Sequence, residues 1–285
     1  MAKSTSIYIC QQCGFKASQY YGKCPECNTW NSLVETIESN PTKGNSKGQS
    51  RSRAAGTIVN LKDVEKSSEK RVSTTIGEFD RVLGGGIVNG SIVLISGDPG
   101  IGKSTLLTQL ALNVSDTLYV AGEESPRQIK LRADRIKPNS SLKILSEIDV
   151  DVIISTIEQV KPQLVIIDSI QTLVTSDLNA AAGSISQVRE CSYRLQQLAK
   201  SIHCPIFLVG HITKEGTVAG PKTLEHLVDA VLTLEGESTS NFRILRTTKN
   251  RFGATDEVGI FEMAESGMIE VSNPSQIFLE HKVNA

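Results

Sequence analysis

The stretch GDPGIGKST, residues 97–105, constrains the fold more than any other part of the chain. It fits the pattern G-x4-G-K-[ST], with Gly97, Gly102, Lys103 and Ser104 at the fixed positions. It follows the apolar run SIVLIS (91–96) and opens the amphipathic run KSTLLTQLALNV (103–114). A phosphate-binding loop needs that strand–loop–helix setting. Glycines let backbone N–H groups wrap phosphate oxygens, and the helix N-terminus adds partial positive charge. The expected cradle is Gly97, Asp98, Pro99, Gly100, Ile101, Gly102, Lys103, Ser104 and Thr105. Lys103 should contact the β- and γ-phosphates of a nucleotide, and Ser104 should ligate Mg2+.

The surrounding pattern fits that loop. TLYVAG (117–122), LVIID (164–168) and PIFLVG (205–210) are near-continuous apolar runs of strand length, as in a sheet covered on both faces. Between them lie helix patterns such as SISQVRECSYRLQQLAKSI (184–202). The alternation predicts an α/β domain with a mostly parallel sheet. After about residue 228 the runs AVLTLEGE, FRILRTTKNRF and EVGIFEMAESGMIEV turn strand-like, which predicts antiparallel hairpins extending the sheet.

Three carboxylates and one imidazole fall at strand ends. Asp168 closes LVIID, a position suited to Mg2+ and its water shell. Glu123 and Glu124 follow TLYVAG, where one could orient or deprotonate an attacking water; that reading is preferred, with Glu123 ahead of Glu124, over an acidic pair that merely starts a helix. His211 follows PIFLVG and could sense a γ-phosphate or simply finish the strand.

The N-terminus carries different chemistry. CQQCGFKASQYYGKCPECNTW places Cys10 and Cys13, then Cys24 and Cys27, in two CxxC turns. Two such turns suit one tetrahedral Zn2+ site, with Gly14 and Pro25 permitting the tight backbone. A disulfide or redox pair is the alternative, disfavoured in a reducing compartment. So short a module cannot bury a real core, and zinc would supply most of its folding energy, about 10–16 kcal/mol in zinc peptides. Cys191 and Cys204 stand apart, as small buried hydrophobes would. The composition divides the chain into a cysteine-bearing module at 1–35, a Ser/Gly/Asn-rich flexible linker at 36–56 and the main domain, which holds the phosphate-binding loop, at 57–285.

The formal net charge is −1, which excludes a global basic field, so any nucleic-acid contact must come from local clusters. No apolar run reaches the ~18 residues of a membrane span, and the N-terminus lacks a secretory core, so a cytoplasmic location is expected. RTTKNRFGATD (246–256) holds a second cationic pair, Lys249 and Arg251, two apart and therefore on one side of a strand. By spacing alone it is a solvated hairpin face.

Taken in order, the CxxC–CxxC module, RVLGGGIVNGSIVLISGDPGIGKST, YVAGEES, LVIIDSIQT, GSISQVRE, LVGHITKEGTVAGPKTLEH and KNRFG resemble the RadA (Sms) family of bacterial-type DNA repair proteins. These are RecA-like ATPases, and the resemblance covers nearly the whole chain. It implies a RecA-like P-loop NTPase core preceded by a small four-cysteine, zinc-ribbon-like module, with ATP, Mg2+ and Zn2+ bound. It also implies a hexameric ring on single-stranded and branched DNA. ATP would drive branch migration in homologous recombination, in cooperation with a RecA-type recombinase. By motif, Lys103 and Ser104 match Walker A, Asp168 matches Walker B, and Glu123 matches the catalytic glutamate. Cys10, Cys13, Cys24 and Cys27 match the zinc ligands, and Lys249 and Arg251 match the family's basic pair. The pair would act first as a finger on a neighbouring subunit's nucleotide, and second on DNA phosphates. Members of the family normally continue into a domain resembling the Lon protease. Here the sequence stops at FLEHKVNA, where that domain would begin, which bears on ring stability and not on the nucleotide site.

Further candidates for DNA contact are Lys214 and Lys222, and the cluster Lys43, Lys47, Arg51 and Arg53. The competing function is a RecA-like regulatory ATPase or autokinase switch that does not act on DNA. The zinc module and KNRFG argue against it.

Overall fold

The computed structural model describes residues 5–10, 12, 14–38, 60, 62, 71–211, 221–236 and 240–271. The chain divides into two compact units, 1–70 and 71–285.

In the first unit β1 (Thr5–Cys10), β2 (Lys16–Ala17) and β3 (Leu33–Glu38) form an antiparallel sheet in the order β2-β1-β3. The pairing of β3 with β1 runs from Cys10↔Leu33 to Thr5↔Glu38. Strand therefore continues three residues past position 35, because the ladder has a partner there. The core is tiny: Cys10, Ala17, Cys24 and Leu33, with Tyr8, Phe15 and Cys27 packed against it. A cluster of that size cannot offset chain entropy unaided.

The second unit is built on a nine-stranded sheet, ordered β12-β11-β10-β9-β4-β8-β7-β5-β6. Its elements run α1 (Gly77–Val82), β4 (Ile92–Gly97), α2 (Lys103–Asn113), β5 (Thr117–Ala121), α3 (Pro126–Ile136), β6 (Lys143–Leu145), α4 (Val150–Val160), β7 (Leu164–Asp168), α5 (Ile185–Ile202), β8 (Ile206–His211), α6 (Pro221–Leu224), β9 (Ala230–Glu235), β10 (Phe242–Asn250), β11 (Val258–Ala264) and β12 (Gly267–Glu270). From β6 across to β9 every pairing is parallel. From β9 to β12 every pairing is antiparallel. The α/β class with a mostly parallel sheet and the hairpin extension thus agree with the sequence pattern. The short edge strand β6 carries no long apolar run and gave no such signal.

The side-chain period of two explains why the central strands read as unbroken apolar runs. Along β4, Val93 and Ile95 pack on one face with Leu106, Leu107 and Leu110 of α2. Ile92 and Leu94 pack on the other face with Val188, Cys191, Leu195 and Leu198 of α5. Each such side chain contributes about 1.5–3 kcal/mol by leaving water, so both faces demand apolar residues. Cys191 and Cys204 are buried there, and burial pushes each thiol up to about 12. They are inert core groups, as expected. Among the described residues no helix is long and apolar enough to cross a membrane.

Candidate functional site

Sheet register brings the expected residues to one edge. Gly97 at the end of β4 pairs with His211 at the end of β8, and Ala121 at the end of β5 pairs with Asp168 at the end of β7. The C-terminal ends of these parallel strands form the crevice in which open α/β sheets bind ligands.

The loop between β4 and α2 is shaped by glycine. Gly97, Gly100 and Gly102 have φ of 155°, 78° and 115°. A Cβ at Gly97 would stand 2.5 Å from the Leu234 carbonyl oxygen of β9, so the close approach itself demands glycine. Helices α3, α4 and α5 each have a side-chain cap, from Ser125, Asp149 and Ser184. At α2 the N-cap is Gly102, which supplies none. The first-turn N–H groups of α2 are thus left for an anion.

Lys103 is buried at 3% exposure, and its Nζ donates to the Gly97 and Asp98 carbonyls at 2.8 and 2.9 Å. Burial lowers its pKa, opposed by the negative charges of Asp168, Asp98 and Glu123. A desolvated ammonium leaning on its own loop's carbonyls is poised for a stronger anionic partner. Asp168 is buried, and one carboxylate oxygen accepts a hydrogen bond from Tyr119 OH at 2.5 Å. Burial, then the Asp168 charge, pushes the Tyr119 phenol well above its ordinary pKa, so it remains a donor. The hydroxyl of Ser104 on the first turn of α2 and the Asp168 carboxylate are hard oxygen donors, a set that fits Mg2+.

The two adjacent glutamates have separate fates. Glu124 is engaged by Arg132 of α3: Nη1 donates to Oε1 at 2.8 Å, and Nη2 lies 2.7 Å from Oε2. Arg132 also donates to Thr108 Oγ1 at 2.9 Å, tying α3 to α2. Glu123 instead accepts a hydrogen bond from the Ser169 hydroxyl, and its Oε1 stands 3.3 Å from His211 Nε2. Those contacts, His211 foremost, lower the Glu123 pKa against the opposing effect of burial. Neither ring nitrogen of His211 has an aligned hydrogen bond among the described residues. Gly122 lets this corner close, since a Cβ there would fall 2.0 Å from Thr172 Oγ1.

The basic pair lies at the other end of the sheet. Arg251 donates its backbone N–H to the Asp229 carbonyl at 3.0 Å, and its Nη1 lies 3.1 Å from Asp229 Oδ1. Asp229 is itself paired with Ile92 at the start of β4, donating to its carbonyl at 2.8 Å and accepting from its N–H at 3.0 Å. Lys249 Nζ donates to the Glu225 and Val228 carbonyls, the latter at 2.8 Å. Desolvation and the neighbouring Arg251 charge lower its pKa. Both cations thus meet the segment 225–229, even though the ladder slips between Thr247 and Lys249. The motif's other residues shape the turn. Asn250 donates to the Leu83 carbonyl at 3.3 Å and accepts from Phe252 N at 2.9 Å, and Arg71 binds the Phe252 carbonyl at 2.6 Å.

In the first unit, the Sγ atoms of Cys10, Cys24 and Cys27 all lie within 4.8 Å of one another. Cys10 and Cys27 are 3.6 Å apart, close to the ~3.8 Å of two thiolates on one tetrahedral zinc with Zn–S near 2.3 Å. The two turns are copies. Cys10 N donates to Phe15 O and Gly14 N to Cys10 O; Cys24 N donates to Thr29 O and Asn28 N to Cys24 O. Gly14 and Asn28, with φ of 76° and 59°, hold the equivalent left-handed position. Asn28, rather than Pro25, thus matches Gly14. Cys13, the fourth expected ligand, lies outside the described residues. So do Lys214, Lys43, Lys47, Arg51 and Arg53, whereas Lys222 is exposed on α6.

Tyr119, Ser169, Arg132 and Asp229 carry no motif signal. A tyrosine inside an apolar strand and an aspartate just ahead of AVLTLE were the available hints.

Comparison with known proteins bears on the family rather than on single residues. Residues 58–217 match the family described as AAA domain. Residues 8–35 match the family described as rubredoxin metal binding domain. The chain is 52% identical over 99% of its length to a protein named DNA repair protein RadA from Bacillus subtilis (strain 168), and covers 63% of that protein. Proteins of the same name from Listeria monocytogenes and Streptococcus pyogenes serotype M6 are 48% and 49% identical over 99% and 100% of the chain, which covers 62% and 63% of them. The chain therefore spans less than two thirds of the curated relatives it matches.

Proposed function

The chain belongs to the AAA domain family and is similar along nearly all its length to proteins named DNA repair protein RadA, and from that premise we propose that it is a DNA-dependent ATPase of recombination and repair. The observation that carries the reading is the convergence of Lys103, Asp168 and Glu123 at one sheet edge around a helix N-terminus without a side-chain cap.

In this reading the loop N–H groups and Lys103 hold the phosphates, and Ser104 and Asp168 hold Mg2+. That ion, when bound, neutralises phosphate charge. Glu123, kept ionised by its neighbours, takes a proton from the water that attacks the γ-phosphorus, and ADP leaves. His211 orients Glu123 and registers the γ-phosphate. Glu124, occupied by Arg132, is structural.

The basic pair serves a neighbouring subunit. Arg251 is level with Ile92, five residues along β4 from Gly97, about 17 Å at the usual strand rise. It cannot reach its own P-loop, which supports action in trans. Phosphoryl transfer gains about 10³–10⁵ from such a cation. Homo-oligomeric ring assembly follows from that requirement, with single-stranded and branched DNA held by the ring and a RecA-type recombinase as co-worker. Hydrolysis then drives movement on single strands and branch migration. Zn2+ on Cys10, Cys13, Cys24 and Cys27 orders the N-terminal module.

The test is ATP hydrolysis with and without single-stranded DNA, with Lys103→Ala as control. Stimulation by DNA, weakened by salt as counterion release requires and absent from Lys103→Ala, is the expected result. Hydrolysis indifferent to DNA would favour a regulatory switch instead.

A further inference from the structure

Arg243 of β10 has no part in the roles above, yet it touches the phosphate loop. Its Nε donates to the Ile101 carbonyl at 3.0 Å, while Nη1 donates to the Ser240 and Phe242 carbonyls at 2.6 and 2.8 Å. The guanidinium is thus locked to the start of its own strand and extends one bond to the loop. Gly236 leaves room for it, since a Cβ there would lie 2.7 Å from Arg243 Cδ.

The Ile101 carbonyl belongs to the same planar peptide as the Gly102 N–H. In a trans peptide the two point in opposite directions, so fixing one fixes the other. Gly102 has φ of 115° and Gly100 has φ of 78°, and glycine at both positions leaves the peptide between them few steric restraints of its own, so hydrogen bonds to its carbonyls matter to its orientation. Among the described residues no group accepts the Gly102 N–H. Met268 and Met263 close the space beside Gly102, with Met268 Cε 2.3 Å from where a Cβ would be, but they offer no donor to the peptide.

We infer that Arg243 is a positioning residue of the phosphate loop: by holding the Ile101 carbonyl it presents the Gly102 N–H to the nucleotide phosphates. The inference rests on reading that loop as the nucleotide site. It also gives β10 two ends with distinct duties, Arg243 at the subunit's own loop and Lys249 at the pair directed to a neighbour.

Titration of the full chain with a fluorescent ADP analogue and Mg2+, alongside steady-state ATP hydrolysis, tests it. Arg243→Ala should weaken binding about tenfold, the scale of one charge-assisted hydrogen bond, and raise KM for ATP with kcat largely kept. Gly236→Ala, whose Cβ would press on Arg243 Cδ and on the Phe242 carbonyl oxygen that anchors the guanidinium, disturbs the same anchor and should weaken binding in the same direction. The double variant should be no weaker than Arg243→Ala alone. Should Arg243→Ala fail to fold, Gly236→Ala carries the test. Unchanged affinity in a folded Arg243→Ala or Gly236→Ala, or full additivity in the double variant, overturns the inference while Lys103→Ala still upholds the nucleotide site. A wild-type chain that binds no nucleotide overturns both.

Discussion

Glu123 Oε1 stands 3.3 Å from His211 Nε2, while the next residue, Glu124, is held by Arg132 at 2.8 Å. One glutamate lies beside His211 at the C-terminal ends of the parallel strands, and the other is tied to Arg132, which links α3 to α2. Glu123→Gln should therefore cost about 10²–10⁴ in kcat, the usual weight of a general base, with nucleotide affinity retained. Glu124→Gln should keep hydrolysis but lower the melting temperature, because it leaves a largely buried guanidinium without its carboxylate. Single-turnover hydrolysis and thermal melts of the two variants separate these outcomes.

The sign of the Glu123 shift fixes a pH dependence. His211 and Ser169 lower its pKa, so it is ionised from below the ordinary glutamate value upward. Its contribution to folding is present above that ordinary value and is lost as pH falls through the lowered one. The acid limb of kcat/KM due to the base should accordingly lie below about pH 4.5. A limb near neutrality that vanishes in Glu123→Gln would contradict the assignment.

Tyr119 should matter through Asp168. Tyr119→Phe removes the 2.5 Å hydrogen bond and leaves a buried carboxylate oxygen short of a donor, costing about 1–3 kcal/mol. The half-saturating Mg2+ concentration for hydrolysis should change with it. A variant with wild-type stability and wild-type Mg2+ dependence would remove Tyr119 from the site.

Zinc should be stoichiometric with the chain. Metal analysis should find about one ion per chain by the four-ligand count, and Cys10→Ser or a strong chelator should unfold the N-terminal sheet. The core of the ATPase unit contains none of these cysteines, so its melting transition should persist.

How much of this was legible beforehand follows from what each pattern encodes. The central strands announced themselves because both faces are buried and every position must be apolar. The P-loop announced itself because glycine and lysine are each demanded at fixed positions. By contrast, β6 is short with an exposed lysine and has no periodicity to detect. The split between Glu123 and Glu124 depends on Arg132, eight residues on, whose reach back along α3 is set by tertiary packing. Arg243 and Asp229 act on residues more than 130 positions away, Ile101 and Ile92. Local sequence carries no trace of such pairings. KNRFG was legible as a motif, but its residues' division of labour was not. Lys249 and Arg251 gather on residues 225–229, while Asn250 and Gly253 fold the turn against Leu83 and Gly84.

The central claim is that a site built on Lys103, Glu123 and Asp168 is completed by a neighbour's Lys249 and Arg251. Mixing Lys249→Ala chains, which keep an intact P-loop, with Lys103→Ala chains, which keep an intact basic pair, tests it most directly. Each variant alone should be inactive, and the mixture should recover part of the wild-type ATPase rate in the presence of single-stranded DNA. A mixture that assembles into mixed oligomers and yet shows no recovery would contradict the claim.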